Sequence, residues 1–255
     1  MEKKRILALD FDGVICDSAP ENAATAWLCC CRLWPERFSG PPPREQVERF
    51  CRELRPYMET GYQSIVQTEG LWRGESLERL TTGFGEGLAE LVERLGVSIP
   101  RLKELFGGER DRWLQEDEAG WLGCNRFYPG AAEALRRLLS RCQVRILTTK
   151  EERFVLRLME REGVPFPPEE VFGLGRIRNK ETTLEEWSRE GEVVFVEDRL
   201  ATLERVEGVA ALKEVRLGFA TWGYATGEHR RKAAQDHRLK ILHSPEELAS
   251  LADEP

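Results

Sequence analysis

The sequence predicts an α/β fold, a doubly wound parallel sheet interrupted after its first strand by a helical insertion. Three observations predict it. A short apolar run, Arg5–Leu9, stops abruptly at Asp10, Asp12 and Gly13, as a buried strand does where it meets a polar turn. From about residue 125 onward, apolar runs alternate with helical periods, the pattern of a parallel sheet covered by helices on both faces. Between them, residues 17–124 carry helical patterns and no convincing strand.

Within the insertion, helix-like apolar spacing covers residues 23–33, 45–57, 77–95 and 99–116, punctuated by Ser39-Gly40-Pro41-Pro42-Pro43 and Gly107-Gly108. After it, strand-like runs fall at residues 144–147, 193–196, 215–220 and 239–242. Ala131, Leu135, Leu138 and Leu139, and then Val155, Leu158 and Met159, mark helices between strands. Ser244, Pro245 and Glu247 predict the capped start of a final helix. The expected organisation is a core of residues 1–16 and 125–255 with residues 17–124 inserted as a second domain.

Composition narrows the class. With 41% hydrophobic and 33% charged residues in 255, the chain suits a globular protein with a sizeable core and excludes collagen, low complexity and a disulfide miniprotein. Lys and Arg number 38 against 45 Asp and Glu, a net charge of −7 that supplies no footprint for nucleic acid. No stretch reaches the roughly 18 uncharged apolar residues of a membrane span. The basic N-terminus imitates a signal peptide, but acids interrupt the apolar run and no small-residue cleavage site follows. Seven cysteines, three of them consecutive at Cys29, Cys30 and Cys31, lack the spacing of a zinc site and read as reduced thiols of a cytoplasmic protein.

The strongest chemical signal is Asp10-Phe11-Asp12-Gly13-Val14. Ligands of an open α/β sheet bind beyond the carboxyl ends of the strands, near the switch point of the topology. Two carboxylates two residues apart there can divide the labour of nucleophile and acid/base. A calcium loop starting at Asp10 fails, because its fifth and sixth positions are Val14 and Ile15. Three further features follow: Thr148-Thr149 closing an apolar run, Lys180, and Glu197-Asp198 closing another. Taken singly, each has a plain reading: a β-branched strand residue, a solvated charge, and an N-cap for the helix that follows Asp198.

Together and in this order, these features resemble the haloacid dehalogenase superfamily of phosphohydrolases and phosphotransferases, whose fold is a Rossmann-like core with a helical cap domain. Phe127-Tyr128-Pro129-Gly130-Ala131, Thr221-Trp222-Gly223-Tyr224 and Ser244-Pro245-Glu246-Glu247-Leu248 are similar to stretches of its phosphoglycolate-phosphatase-like branch. The resemblance implies a Mg²⁺-dependent phosphatase acting on a small phosphate ester through an aspartyl-phosphate on Asp10. Asp12 would be the acid and base, Thr148 and Lys180 would contact the phosphoryl group, and Gly13 and Thr149 would line it. Asp10, Asp12 through its carbonyl, Asp198 and Glu197 are the implied metal residues.

The pattern departs from the family in two places. Thr202 and Leu203 stand where many members carry a further carboxylate, which makes Glu197 the candidate for the second acid. Lys180 is followed by Glu181-Thr182 rather than proline, and Arg176 and Arg178 are nearby cations of less suitable spacing. Alternatives are a phosphotransferase or mutase on the same core, and a non-catalytic binding protein. A halide-releasing member would not keep Asp12. In a phospho-accepting receiver domain the phosphorylated acid lies on a later strand than the acidic pair, whereas here the hydroxyl and lysine both precede Glu197-Asp198. Trp27, Trp72, Trp113 and Trp121 read as core of the insertion, Gly83-Phe84-Gly85-Glu86-Gly87 as a bend, and His229, His237 and His243 as surface residues. Selectivity in the family comes from the cap and from the loop around Ser18, Ala19, Pro20 and Glu21.

Overall fold

The structure is a computed structural model, and it describes residues 5–81 and 86–252. The chain starts with β1 (Arg5–Leu9) and β2 (Cys16–Asp17). It continues through α1 (Ala19–Leu33), α2 (Arg44–Arg49), α3 (Tyr62–Trp72), α4 (Leu77–Thr81), α5 (Glu86–Leu95), α6 (Ile99–Glu116) and α7 (Glu118–Gly123). Then follow β3 (Arg126–Phe127), α8 (Ala131–Leu139), β4 (Gln143–Leu147), α9 (Glu152–Arg161), β5 (Val171–Phe172) and α10 (Lys180–Glu190). The last elements are β6 (Glu192–Glu197), α11 (Leu200–Glu207), β7 (Arg216–Ala220), α12 (Gly227–Ala233) and β8 (Leu239–Leu242). Contacts divide the chain into two compact units, one made of the residues up to Asp17 and from Phe127 on, the other of Ser18–Arg126.

The first unit is a Rossmann-like α/β layer structure. Its sheet has the order β5-β4-β1-β6-β7-β8, every pairing parallel. Parallel strands covered on both faces must be apolar on both, and Ile6–Leu9 and Val193–Val196 are buried without alternation. Leu9 pairs with Ile146 on one side and Val196 on the other, so β1, β4 and β6 end at one level. The chain moves outward from β1 through β4 to β5 and then returns to the far side of β1, which makes the carboxyl end of β1 the switch point. Phe195, Leu203, Leu217 and Phe219 anchor the apolar layer between β6, β7 and α11.

The second unit is helical around Trp27, Phe38, Phe50, Leu54, Ile65 and Leu102. A fully buried ion pair ties its helices: both Glu21 oxygens accept from Arg110, each at 2.7 Å, and Thr25 Oγ1 adds a third bond at 2.7 Å. Ser18–Glu21, expected as a loop, is instead the N-cap and first turn of α1, with Ser18, Ala19 and Glu21 buried. No helix among the described residues is long and apolar enough to cross a membrane.

Several elements differ from expectation. The helix expected over 45–57 is α-helical only to Arg49; a π turn at Phe50–Leu54 and a 3₁₀ turn at Arg55–Tyr57 follow, because Pro56 cannot donate to an α ladder. The helix expected over 77–95 is α4 and α5, and residues 82–85, including most of the glycine-rich segment, lie outside the described residues. The final helix, Pro245–Ala252, is 3₁₀. Its buried residues Pro245, Leu248 and Leu251 recur every three positions, which is the period of that helix. Trp72 is 44% exposed rather than core, although its ring meets those of Trp27 and Phe38. The edge strand β5 and the helix α3 carry no signal noted in the sequence.

Breaking a buried ion pair on one side leaves an uncompensated charge. Glu21→Ala is expected to destabilise the helical unit by about 3–5 kcal/mol, read by urea denaturation; a loss under about 1 kcal/mol would show that Arg110 finds another partner.

Candidate active site

Asp10 is the first residue beyond β1. Its N–H still donates to Val196 O at 2.9 Å, so the sheet ladder fixes its backbone. Its Oδ1 accepts from Phe11 N at 2.8 Å, which turns the carboxylate back over the strand end. Phe11, fully buried, packs edge-on against Phe127. Gly13 has φ of +94°, a left-handed conformation that costs a residue with Cβ about 1–2 kcal/mol. A Cβ there would also overlap the Asp198 carboxylate. Phe11 O receives both Ile15 N and Cys16 N at 2.9 Å, closing the turn.

Glu197 and Asp198 lie at the end of β6, level with Asp10 and buried to within 3% exposure. Glu197 Oε1 accepts from the backbone N–H of Asp198 and of Arg199, each at 3.1 Å, and its Oε2 accepts from Lys180 Nζ at 2.7 Å. Asp198 is not the N-cap of α11, a position taken by Arg199. Its Oδ2 instead accepts from Tyr224 N at 2.7 Å. Gly223 permits this approach, since a Cβ at that position would overlap Gly13 O and the Asp198 side chain. Trp222 Nε1 donates to Val14 O at 2.9 Å, so the loop after β7 also holds the turn after Asp10.

Lys180 is the first residue of α10, whose N-cap Asn179 accepts from Thr182 N at 2.7 Å. That cap aims a buried ammonium at the carboxylates, 3.0 Å from Asp10 Oδ1 as well as 2.7 Å from Glu197. Arg176 and Arg178 are exposed, so neither replaces it. Thr148 is the first residue beyond β4, with its N–H on Phe172 O at 3.0 Å, and its Oγ1 accepts from Lys150 N at 3.2 Å. Lys150, which the sequence reading passed over, has a fully buried side chain whose Nζ lies 3.2 Å from Asp12 Oδ1. Its one signal is that it follows Thr148-Thr149 at a strand end. Thr149 is half-buried beside them. Thr202 and Leu203 are buried on α11, and Arg199 Nη1 bonds Thr202 Oγ1.

The electrostatics point to a cation. One oxygen each from Asp10, Glu197 and Asp198 lie within 4.8 Å of one another, and all three residues are buried. Lys180 contacts two of them, Asp10 and Glu197. Burial, and then the charge of Glu197, push Asp10 well above the usual carboxylate range against the pull of Lys180. Burial acts on Glu197 in the same direction, but Lys180 overrides it and holds Glu197 below that range. Burial would push the Lys180 ammonium down, and Asp10 and Glu197 together hold it above the ordinary lysine range. Excess buried negative charge on hard oxygen donors fits a divalent cation.

No family model matches the sequence, and no curated protein matches it. Solved structures match over almost the whole length. A predicted phosphatase from Clostridium acetobutylicum is 14% identical with a TM-score of 0.58 and full coverage of both chains. A predicted phosphoglycolate phosphatase from Haemophilus somnus is 12% identical at TM-score 0.59, covering 98% of this chain and 99% of that one. A haloacid dehalogenase-like protein from Agrobacterium tumefaciens is 17% identical at TM-score 0.53, with 98% of each chain covered. At these identities the likeness is one of fold: the chain has the haloacid dehalogenase fold.

The glycine packing generates a measurable expectation. Gly223→Ala should weaken divalent-cation binding about 10- to 100-fold by displacing Asp198, read by titration calorimetry with Mg²⁺. Gly108→Ala, whose Cβ would meet nothing within 4 Å, should leave it unchanged. Equal affinities in the two variants would mean that Asp198 does not hold the cation.

Proposed function

We propose that the protein is a Mg²⁺-dependent phosphatase that hydrolyses a small phosphate ester through an aspartyl-phosphate on Asp10. The observation that carries this reading is the placement of Asp10 against Lys180 at the switch point, with Glu197 and Asp198 beside it. Asp10, the carbonyl of Asp12, Asp198 and Glu197 would hold Mg²⁺. The bound ion would neutralise charge on the phosphoryl oxygens and on the carboxylates around them.

Asp10 attacks phosphorus while the bond to the ester oxygen breaks, and Asp12 gives its proton to that oxygen as the alcohol leaves. Asp12, now a carboxylate, takes a proton from water as the water oxygen attacks the same phosphorus, releasing inorganic phosphate and restoring Asp10. Thr148 accepts from the Lys150 N–H, which leaves its own hydroxyl proton for a phosphoryl oxygen. Lys180 offsets charge on the equatorial oxygens. Gly13 and Thr149 line the phosphoryl site. In this reading residues 17–124 form the cap that sets selectivity and 1–16 with 125–255 the catalytic core of a cytoplasmic enzyme. The name of the Haemophilus somnus structure makes phosphoglycolate the first ester to test.

Phosphate release from an aryl phosphate should require Mg²⁺ and stop when EDTA removes it. Asp12→Asn should lower kcat by about 10²–10⁴-fold, and Asp10→Asn should abolish turnover. Turnover that survives Asp10→Asn would refute the covalent route.

A further inference from the structure

Lys150 has no role in the reading above beyond the N–H it lends to Thr148. Its side chain is fully buried, and a buried ammonium is costly unless a charge partner compensates it. That partner is Asp12: Nζ lies 3.2 Å from Oδ1 and 3.4 Å from Oδ2. Near-equal distances fix the rotation of the carboxylate without committing either oxygen to a single bond. The same residue's N–H, 3.2 Å from Thr148 Oγ1, sets the direction of the neighbouring hydroxyl. One residue thus orients two side chains at the ends of β1 and β4.

We propose that Lys150 is a positioning residue of the hydrolysis, holding the Asp12 carboxyl group where it meets the ester oxygen as an acid and then the attacking water as a carboxylate. The proposal rests on the phosphatase reading and goes beyond it. A small misplacement of a catalytic group costs on the order of 10²-fold in rate, so the effect belongs in kcat.

Lys150→Met is expected to lower kcat about 10- to 100-fold with KM changed less than about twofold. It should cause no further loss when added to Asp12→Asn, because its action runs through Asp12. Lys150→Arg, which keeps the charge, should recover part of kcat. Losses that multiply in the double variant, or a raised KM with kcat intact, overturn the proposal, the latter by making Lys150 a substrate contact. If Lys150→Met does not fold, the comparison is made with Lys150→Arg. A kcat change present with Asp12 and absent with Asp12→Asn is then expected, and a change in both backgrounds or in neither overturns it. If the wild-type protein hydrolyses no ester, the phosphatase reading fails by itself. The Asp12 carboxyl ¹³C resonance then decides separately: a shift on replacing Lys150 supports the pairing, and an unmoved resonance overturns it.

Discussion

The ammonium of Lys180 sits 3.0 Å from Asp10 and 2.7 Å from Glu197, and the arrangement of the strand ends follows from the electrostatics of that contact. Parallel pairing in register brings β1 and β6 to one level, which forces their terminal acids together in a buried place. Carboxylates so crowded repel one another, and burial removes the water that would screen them. Lys180 is held there by a helix whose start is fixed by Asn179, so its charge is supplied by the fold rather than by a mobile side chain. Glu197, Asp198 and Asp10 together offer oxygens that could hold a metal ion. The net charge of −7 therefore says little about the ligand, because local charge at the strand ends decides what binds.

Close packing does the rest of the positioning. Gly13 and Gly223 meet around Asp198, and a methyl group on either would collide with it. Their lack of side chains lets the turn after β1 and the loop after β7 share one small volume. Trp222 and Tyr224 then tie that loop down, the first to Val14 and the second to Asp198 and, through its hydroxyl, to Asp17 at 3.1 Å. Lys150 plays a related part on the opposite flank, between Asp12 and Thr148.

Much of this was legible in the sequence, for physical reasons that differ by element. Strands buried on both faces read as apolar runs, so β1, β4, β6, β7 and β8 stood out. The two-residue β5 has too few residues for any period to appear. Asp10, Lys180, Glu197 and Asp198 were singled out by order and spacing, and the fold places them together. Lys180 alone looked like a solvated charge, and Asp198 alone like an N-cap; their contacts in the fold, with Asp10 and Glu197 for the first and Tyr224 for the second, tell otherwise. Lys150 could not be read, since its partner Asp12 is 138 residues away and a lysine after two threonines looks like the start of a surface loop. Glu21 looked like loop chemistry for the same reason: its partner Arg110 lies 89 residues on. The start of the last helix was legible from Ser244, Pro245 and Glu247, whereas its 3₁₀ character shows only in the burial of Pro245, Leu248 and Leu251.

The central claim is that Asp10, the residue gripped by Lys180, becomes phosphorylated. The direct measurement is to quench the protein during turnover of a phosphate ester with Mg²⁺, reduce the acyl phosphate with borohydride, and locate the product by peptide mass spectrometry. The account predicts homoserine in place of Asp10 and an unchanged Asp12. Reduction at another acid, or turnover with no reducible acyl phosphate, would contradict it.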